Sequence, residues 1–556
     1  MARVIKPETD KKVAEILKVH DQLVENRLPF EPTWIEIGKY EHPMISNFGP
    51  DDKQQGKKRT NYILDSSPIL AIRRASEGYQ SYMFPRSAPW FKFGLVQDEL
   101  MKQKAHAIWL GQVETSMYAE MARSDFYQEG GKVIDNGLTI GTSAVFIEDN
   151  KEKSCSEYLS LHPKEVYIAR DRYGLVDTMF RRFLITGRVI LDMFSDTIKS
   201  VLKKEEIEKL EKNPHTKYAV IHAVFPRKDR LADLIDAKNF PWASVHILED
   251  EQKMLQESGY PEFPFAVWAA RLNTDEDYGR SSGWDALPDV KRLQQVVKAK
   301  LQAIQLGARS PAFYPQEMEG DLDLSPGGRV PYRDFARKVI PIQSSTINLQ
   351  HVEAVAQQIR DVINDHFDVP FFLMFSQREK LQKTATEVAE IAGERAALMG
   401  TTVGRIETDF LDVVLQLSIR NAARGGRLTP PPPSLRRIPG VELKIKYIGP
   451  LANLQRRYHG QQNMTTTLAQ AWPIFDRWPE SIAVVNGPAA ARKILTDGGM
   501  APEAINDPAE EKKKVAEIQQ AQANQANAAM LESVGKAAPG LQQVLGAGGP
   551  GSPATP

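Results

Sequence analysis

Between Trp284 and Ile304, the apolar residues Trp284, Leu287, Val290, Leu293, Val297, Leu301 and Ile304 recur every three or four positions. That is the period of one face of an α-helix. A helix over Trp284–Arg309 would be about 40 Å long. Ser282 or Asp285 can cap its N-terminus, and Pro288 is tolerated in the first turn, where a backbone N–H has no helical acceptor to lose. The stripe stops in Pro311–Gln343, which carries five prolines and the run SPGGRVPY. Helical spacing returns over Asn348–Phe367. Two helices that bracket a compact Pro/Gly insertion predict a projecting hairpin.

The rest of the chain is mixed. Lys11–Tyr40 reads as helical, with Val13, Ile16, Leu17 and Leu23 near helical spacing, and further helices are expected over Ser66–Phe84 and Gln97–Ser124. Short strands are expected at Ala144–Glu148, Glu165–Arg170, Asp177–Phe183, Ala219–Phe225 and Phe265–Leu272, with Asp171–Gly174 as a turn. Ala385–Ala423 is again helical, LTPPPPSL breaks it, and a strand over Val441–Tyr447 leads to helices from Leu451. Beyond Glu510 the chain turns Gln/Ala/Asn-rich, a segment open to helix, and ends in GAGGPGSPATP, where about the last fifteen residues are expected to be disordered. The fold class expected is α-rich mixed α/β.

Charge narrows the functions open to such a chain. Among 556 residues, 71 Lys and Arg balance 71 Asp and Glu. A protein that grips phosphates by bulk attraction is clearly basic, so a tight nucleic-acid binder is excluded while local basic patches are not. The single cysteine, Cys155, has no partner for an internal disulfide. Flanked by Lys151 and Lys153, it reads as a surface thiol. No apolar run reaches the length of a membrane-spanning helix, and the N-terminus MARVIKPETDKKVAEIL lacks the apolar stretch of a signal peptide. A soluble protein made in a reducing cytoplasm, without stable membrane association, is the expectation.

Gly279-Arg280-Ser281-Ser282-Gly283 matches the G-x-S-x-G nucleophile elbow. That elbow needs its serine at the turn directly after a strand, whereas Asn273–Tyr278 intervene here, so a glycine-flexed helix cap is preferred over a serine hydrolase built on Ser281. Asp321, Asp323 and Ser325 hint at a calcium loop, but Pro326 and Tyr332 stand where an EF-hand requires Gly and Glu. No phosphate-binding G-x-x-x-x-G-K-[ST], no H-E-x-x-H and no spaced histidine cluster occurs. No enzyme activity, cofactor or metal is expected. A helical scaffold with no DNA role stays open as a second alternative.

Six segments, taken together, resemble one family: the portal, or head-to-tail connector, proteins of short-tailed bacteriophages. They are Asn61–Phe93 with its FPRSAPWF turn, GLTIGTSAVFIED (Gly137–Asp149) and HPKEVYIARDRYGLVDTMFRRF (His162–Phe183). The others are YGRSSGWDALPDVKRLQQVVKAKL (Tyr278–Leu301), KTATEVAE (Lys383–Glu390) and YIGPLANLQRR (Tyr447–Arg457). The resemblance implies a fold of wing, stem helices, clip and crown, assembled as a ring of about twelve subunits around a DNA channel. Residues 1–282 would be the N-terminal wing and core, 283–310 the first stem helix, 311–346 the clip and 347–370 the second stem helix. Residues 371–384 would be the channel loop, 385–450 a wing and core helix and strand, 451–510 the crown and 511–556 a low-complexity, largely disordered tail.

The same resemblance implies the partners: other copies of the chain, double-stranded DNA without sequence specificity, the terminase large subunit, a tail adaptor, and the major capsid and scaffolding proteins. It implies a place at the portal vertex of the virion, after assembly in the host cytoplasm. Within the channel loop, Arg378, Lys380 and Lys383 outnumber Glu379 and become the expected DNA-facing residues. Repeated around an axis they would attract a polyanion only within a Debye length of about 8–10 Å, a contact weak enough for DNA to slide. In the clip, Phe313, Tyr314, Arg329, Tyr332, Arg333 and Phe335 supply the aromatic and arginine side chains that interfaces favour. They would either dock partner proteins or pack against neighbouring clips.

Overall fold

The computed structural model describes residues 10–45, 48, 59–97, 99–231, 236–308, 312–313, 340–341, 348–374, 385–438, 442–458, 464–497, 504, 506 and 510–525. The chain divides into two compact units, one of residues 1–93, 113–429 and 445–461, the other of 94–112, 430–444 and 462–556.

The first unit opens with α1 (Lys11–Arg27) and α2 (Glu31–Tyr40). The expected single helix over Lys11–Tyr40 is therefore two. The break falls at Leu28–Phe30, because Pro32 has no N–H to donate to the Leu28 carbonyl and its ring crowds that carbonyl, while proline is tolerated in the first turn of α2. Asp10 caps α1, its carboxylate accepting from the Lys12 N–H at 2.9 Å. Helix α3 (Ser67–Met83), strand β1 (Phe91–Leu95), α4 (Lys104–Arg123) and α5 (Phe126–Thr139) follow.

Two antiparallel sheets come next. Strands β2 (Thr142–Asn150), β3 (Cys155–Leu161), β4 (Val166–Arg170), β5 (Val176–Thr186), β6 (Lys217–Pro226), β7 (Trp242–Leu248), β8 (Lys253–Tyr260) and β9 (Phe265–Ala269) pair in the orders β3-β2-β9 and β4-β5-β6-β7-β8. The short helices α6 (Gly187–Met193), α7 (Ser195–Val201) and α8 (Lys204–Lys212) lie between β5 and β6. Alternation along β6 sends Ile221 and Ala223 to one face and Val220 to the other. The first face packs on Val13, Ile16, Leu17 and Leu23 of α1, the second on Ile190, Ile198 and Leu210 of the short helices and on Phe194 between α6 and α7. Each of these buried aliphatic side chains contributes about 1.5–3 kcal/mol. His222 and His246 stand opposite each other across β6 and β7 with stacked rings 4.0 Å apart. Burial pushes His222 well below the ordinary imidazole range and His246 down to about 4, so both are neutral at pH 7.

Beyond the sheets run α9 (Ser282–Ala308), β10 (Ala312–Phe313), β11 (Ile340–Pro341), α10 (Leu349–His366), α11 (Val369–Leu373), α12 (Ala385–Leu398), α13 (Gly400–Arg405) and α14 (Asp412–Arg424). A π-helical turn, Ile406–Leu411, joins α13 to α14. The second unit contains α15 (Pro433–Arg436). Strand β12 (Leu443–Tyr447) then pairs with β1, and α16 (Pro450–Tyr458) returns to the first unit. Helices α17 (Met464–Arg477) and α18 (Gly487–Asp497) belong to the second unit, as does a helical stretch over residues 510–525.

Cys155 is not on the surface. It begins β3, is 2% exposed, and its thiol is pushed up by burial and the nearby carboxylates of Glu120 and Glu157. Among the described residues no helix is long and apolar enough to cross a membrane.

Candidate stem hairpin and channel-loop anchor

Helices α9 and α10 run antiparallel as the spacing predicts, and polar contacts set their register. Lys300 on α9 pairs with Glu353 on α10, and Asp289 meets His366 at 3.4 Å. Arg360 extends this network, donating to Glu353 at 2.9 Å and to Asp65 at 2.8 and 3.0 Å. Gln294 on α9 ties down the same segment: its amide oxygen accepts from the Leu64 and Asp65 N–H groups, and its NH2 donates to the Asp65 carbonyl. Against partial burial, which pushes it up, the Ser67 hydroxyl and N–H and then Arg360 hold the Asp65 carboxylate below its usual range. Lys291 reaches Glu36 of α2 at 2.8 Å.

The N-terminus of α9 explains the rejected elbow. Ser281 is fully buried; its hydroxyl donates to the Thr139 carbonyl at 2.5 Å and accepts from the Trp284 N–H at 3.2 Å. It is the cap, in place of the expected Ser282 or Asp285, and Asp285 instead pairs with Arg271. A hydroxyl engaged at both ends inside the core is no nucleophile. Gly283 is required beside it: a Cβ there would lie 2.6 Å from the Thr139 carbonyl oxygen and 2.9 Å from Glu41 Oε2. Glu41 is wholly buried, and its carboxylate oxygens have no hydrogen-bond partner among the described residues. Burial pushes its pKa well above the usual range.

At its far end α9 leads to the insertion. Ala312 pairs with Pro341 and Phe313 with Ile340, so the two ends of the insertion lie side by side. Phe313 is thus in this ladder, while Tyr314, Arg329, Tyr332, Arg333 and Phe335 lie outside the described residues, as do Asp321, Asp323 and Ser325.

Arg378, Lys380 and Lys383 also lie outside them, but both flanks of their segment are described. Asp368 turns α10 into α11 with φ +56°, a left-handed conformation that aspartate adopts more readily than most residues. Its carboxylate accepts from the Tyr79 hydroxyl at 3.0 Å. Phe372 of α11 packs edge-on against Tyr79 and Tyr82 of α3. Gly78 admits that ring, since a Cβ there would stand 2.4 Å from Phe372 Cγ. The chain therefore leaves α10 toward residues 375–384 from a closely packed anchor.

One polar feature goes unforeseen in the sequence reading. Glu407 in the π-helical turn, with Ile445, Lys446, Tyr447, Ala452, Gln455 and Arg456, lines a cleft of about 370 Å³. The Tyr447 hydroxyl donates to Asp412 Oδ1 at 2.5 Å. Burial and the Asp412 charge push Glu407 up to about 7, with Arg456 opposing. The signal was present: Tyr447 and Arg456 both belong to the segment YIGPLANLQRR. Nothing in its pattern points to Glu407, some forty residues earlier in the chain.

Comparison with known proteins agrees with the resemblance. Residues 13–505 match the family described as bacteriophage head to tail connecting protein. A probable portal protein of Bordetella phage BPP-1 is 30% identical over 460 residues, 81% of this chain and 80% of that protein. A portal protein of Salmonella phage epsilon15 is 26% identical over 543 residues, 96% and 94% of the two. With the family pattern running through both sheets, the α9–α10 hairpin and the helices after β12, the chain belongs to the bacteriophage head-to-tail connecting proteins.

Proposed function

We propose that the chain is the portal subunit of a phage particle, a structural protein without catalytic activity of its own. The observation that carries this reading is the family match across residues 13–505 together with two portal relatives over most of the chain. Copies assemble as a ring of about twelve at one capsid vertex. Double-stranded DNA enters through the axial channel during packaging and leaves through it at ejection. Work against DNA pressure comes from a separate ATPase, in keeping with a sequence that contains no phosphate-binding loop. In this reading α9 and α10 are the stem helices, residues 311–346 the clip, and the helices after Leu451 the crown.

The channel loop supplies Arg378, Lys380 and Lys383 toward DNA. Phe313, Tyr314, Arg329, Tyr332, Arg333 and Phe335 form the clip surface for the terminase large subunit and then the tail adaptor. The ring sits in the virion, among major capsid and scaffolding proteins, after assembly in the host cytoplasm. Negative-stain imaging of the purified protein tests the assembly: rings with an axial hole are expected, and a population of compact monomers would overturn the reading. Alanine at Arg378, Lys380 and Lys383 together is expected to leave rings intact while lowering packaged or retained DNA. Unchanged DNA content would reject the loop assignment.

A further inference from the structure

Strands β1 and β12 pair only with each other, and their two outer edges are finished differently. The Ile448 N–H donates to the Trp90 carbonyl at 2.8 Å, and the Val96 N–H to the Glu442 carbonyl at 3.3 Å. Trp90 is therefore level with Ile448, and Lys92 with Lys446. Bonded and non-bonded pairs alternate in an antiparallel ladder, so Phe91, Phe93, Ile445 and Tyr447 aim their backbone groups away from the partner strand. On β1 side chains meet those groups. The Tyr118 hydroxyl accepts from the Phe91 N–H and donates to the Phe91 carbonyl, both at 2.7 Å, and Glu114 accepts from the Phe93 N–H at 2.7 Å. On β12 the Tyr447 carbonyl is taken by Arg456. The Ile445 N–H and carbonyl have no hydrogen-bond partner among the described residues, and Ile445 lines the cleft of about 370 Å³. Backbone polar groups in folded proteins nearly always find partners, and an open edge beside a cleft is a template for one more strand.

The side chains say what kind of strand fits. Lys446 is exposed and stands opposite Lys92, a like-charge pair that is destabilising unless an anion joins it. Lys92 has Glu114 near it, whereas no carboxylate among the described residues pairs with Lys446. Alternation puts Ile445 and Tyr447 on the other face, and with Ala452 they give the cleft its apolar lining. Glu407 and Arg456, also in that lining, act on each other, which leaves Lys446 to select by charge. A segment laid along this edge meets a cation on one face and apolar surface on the other.

We propose that the free edge of β12 binds an extended segment of a partner protein in which acidic and apolar residues alternate, added as a further strand beside Ile445 and Tyr447 with its carboxylates toward Lys446. Main-chain hydrogen bonds supply the affinity of such strand addition, and the alternate side chains supply its specificity. A second copy of this chain is the poorer occupant, because two β12 edges would set lysines against lysines. Duplex DNA would answer the charge but leave the Ile445 N–H and carbonyl unpaired.

Titration of the full-length protein with a short fluorescent peptide of alternating aspartate and valine, read by anisotropy, tests this. Binding is expected below about 1 mM, and its absence there overturns the proposal. The same peptide N-methylated at the amides that face β12 is expected to bind at least about tenfold more weakly, because it cannot complete the ladder. Lys446→Glu is expected to cost about tenfold as well, with an unchanged unfolding temperature. Ile445→Pro removes an N–H that β1 does not use and is expected to weaken binding likewise. Equal binding of the N-methylated peptide, or equal binding by Lys446→Glu, overturns the strand addition even where Ile445→Pro fails to fold. A peptide of alternating lysine and valine that binds as tightly, or displacement of the acidic peptide by duplex DNA, overturns the choice of partner.

Discussion

Arg427 and Arg292 carry the same guanidinium in opposite circumstances. Arg427 reaches into the sheet region, where it donates to Asp149 at 2.8 Å and to Glu120 at 3.2 Å, and the Glu120 side chain is 3% exposed. Glu120 also accepts from the Ser156 N–H at 2.9 Å. Arg292 stands on the exposed face of α9. The sheet region settles its charges internally, as a buried ion must when desolvation costs several kcal/mol. Arg292 leaves its charge in water.

The largest effect is therefore expected at the first arginine. Arg427→Met leaves Glu120 buried without its cation and should cost about 3–5 kcal/mol, read by chemical unfolding. A loss below about 1 kcal/mol would erase the contrast.

Glu41 sharpens the comparison from the other side, as a buried acid without a counter-charge. Its folded pKa lies above its unfolded one, so folding takes up a proton in the pH range between the two. The stability it contributes is complete below the unfolded value of about 4.3 and declines as pH rises toward the raised folded value. Glu41→Met should therefore raise stability at pH 7.5 by about 1 kcal/mol or more, and by less at pH 4.5. Equal gains at both pH values would show that the carboxyl is compensated by a partner.

The smallest effect belongs to the hairpin surface. Arg292→Ala and Asp361→Ala should each change the unfolding free energy of the chain by no more than about 0.5 kcal/mol. A larger loss would mean that these charges already serve the subunit itself.

The regions also differ in how far sequence alone reaches. The stripe from Trp284 predicts α9 as Trp284–Arg309, and the helix found is Ser282–Ala308. Nothing interrupts its period, so the pattern suffices. Helix α5 is missed because Gly130, Gly131 and Gly137 make its segment look like a loop. Those glycines serve packing: a Cβ at Gly137 would lie 2.0 Å from the Trp268 ring, and one at Gly130 would lie 3.1 Å from Phe84. Strand β3 is missed for a related reason. Its SCSEYLSL run is rich in serine, yet Ser156 is buried with its N–H and hydroxyl both on Glu120. The burial of Cys155 follows from the same strand, not from the lysines beside it in sequence. Contacts between residues far apart in the chain leave no local period to read. The same holds for Glu407, whose cleft exists only once β12 and α16 come to lie beside the π-helical turn.

The ladder of Ala312–Phe313 with Ile340–Pro341 has a bearing on how long the insertion can be. Because it brings the ends of the insertion together at the end of the hairpin, α9 and α10 see the same boundary whatever lies between. Closing a longer segment across a fixed base costs only about 0.6 kcal/mol per doubling of its length. The insertion can therefore change in length while the base it presents to α9 and α10 stays the same.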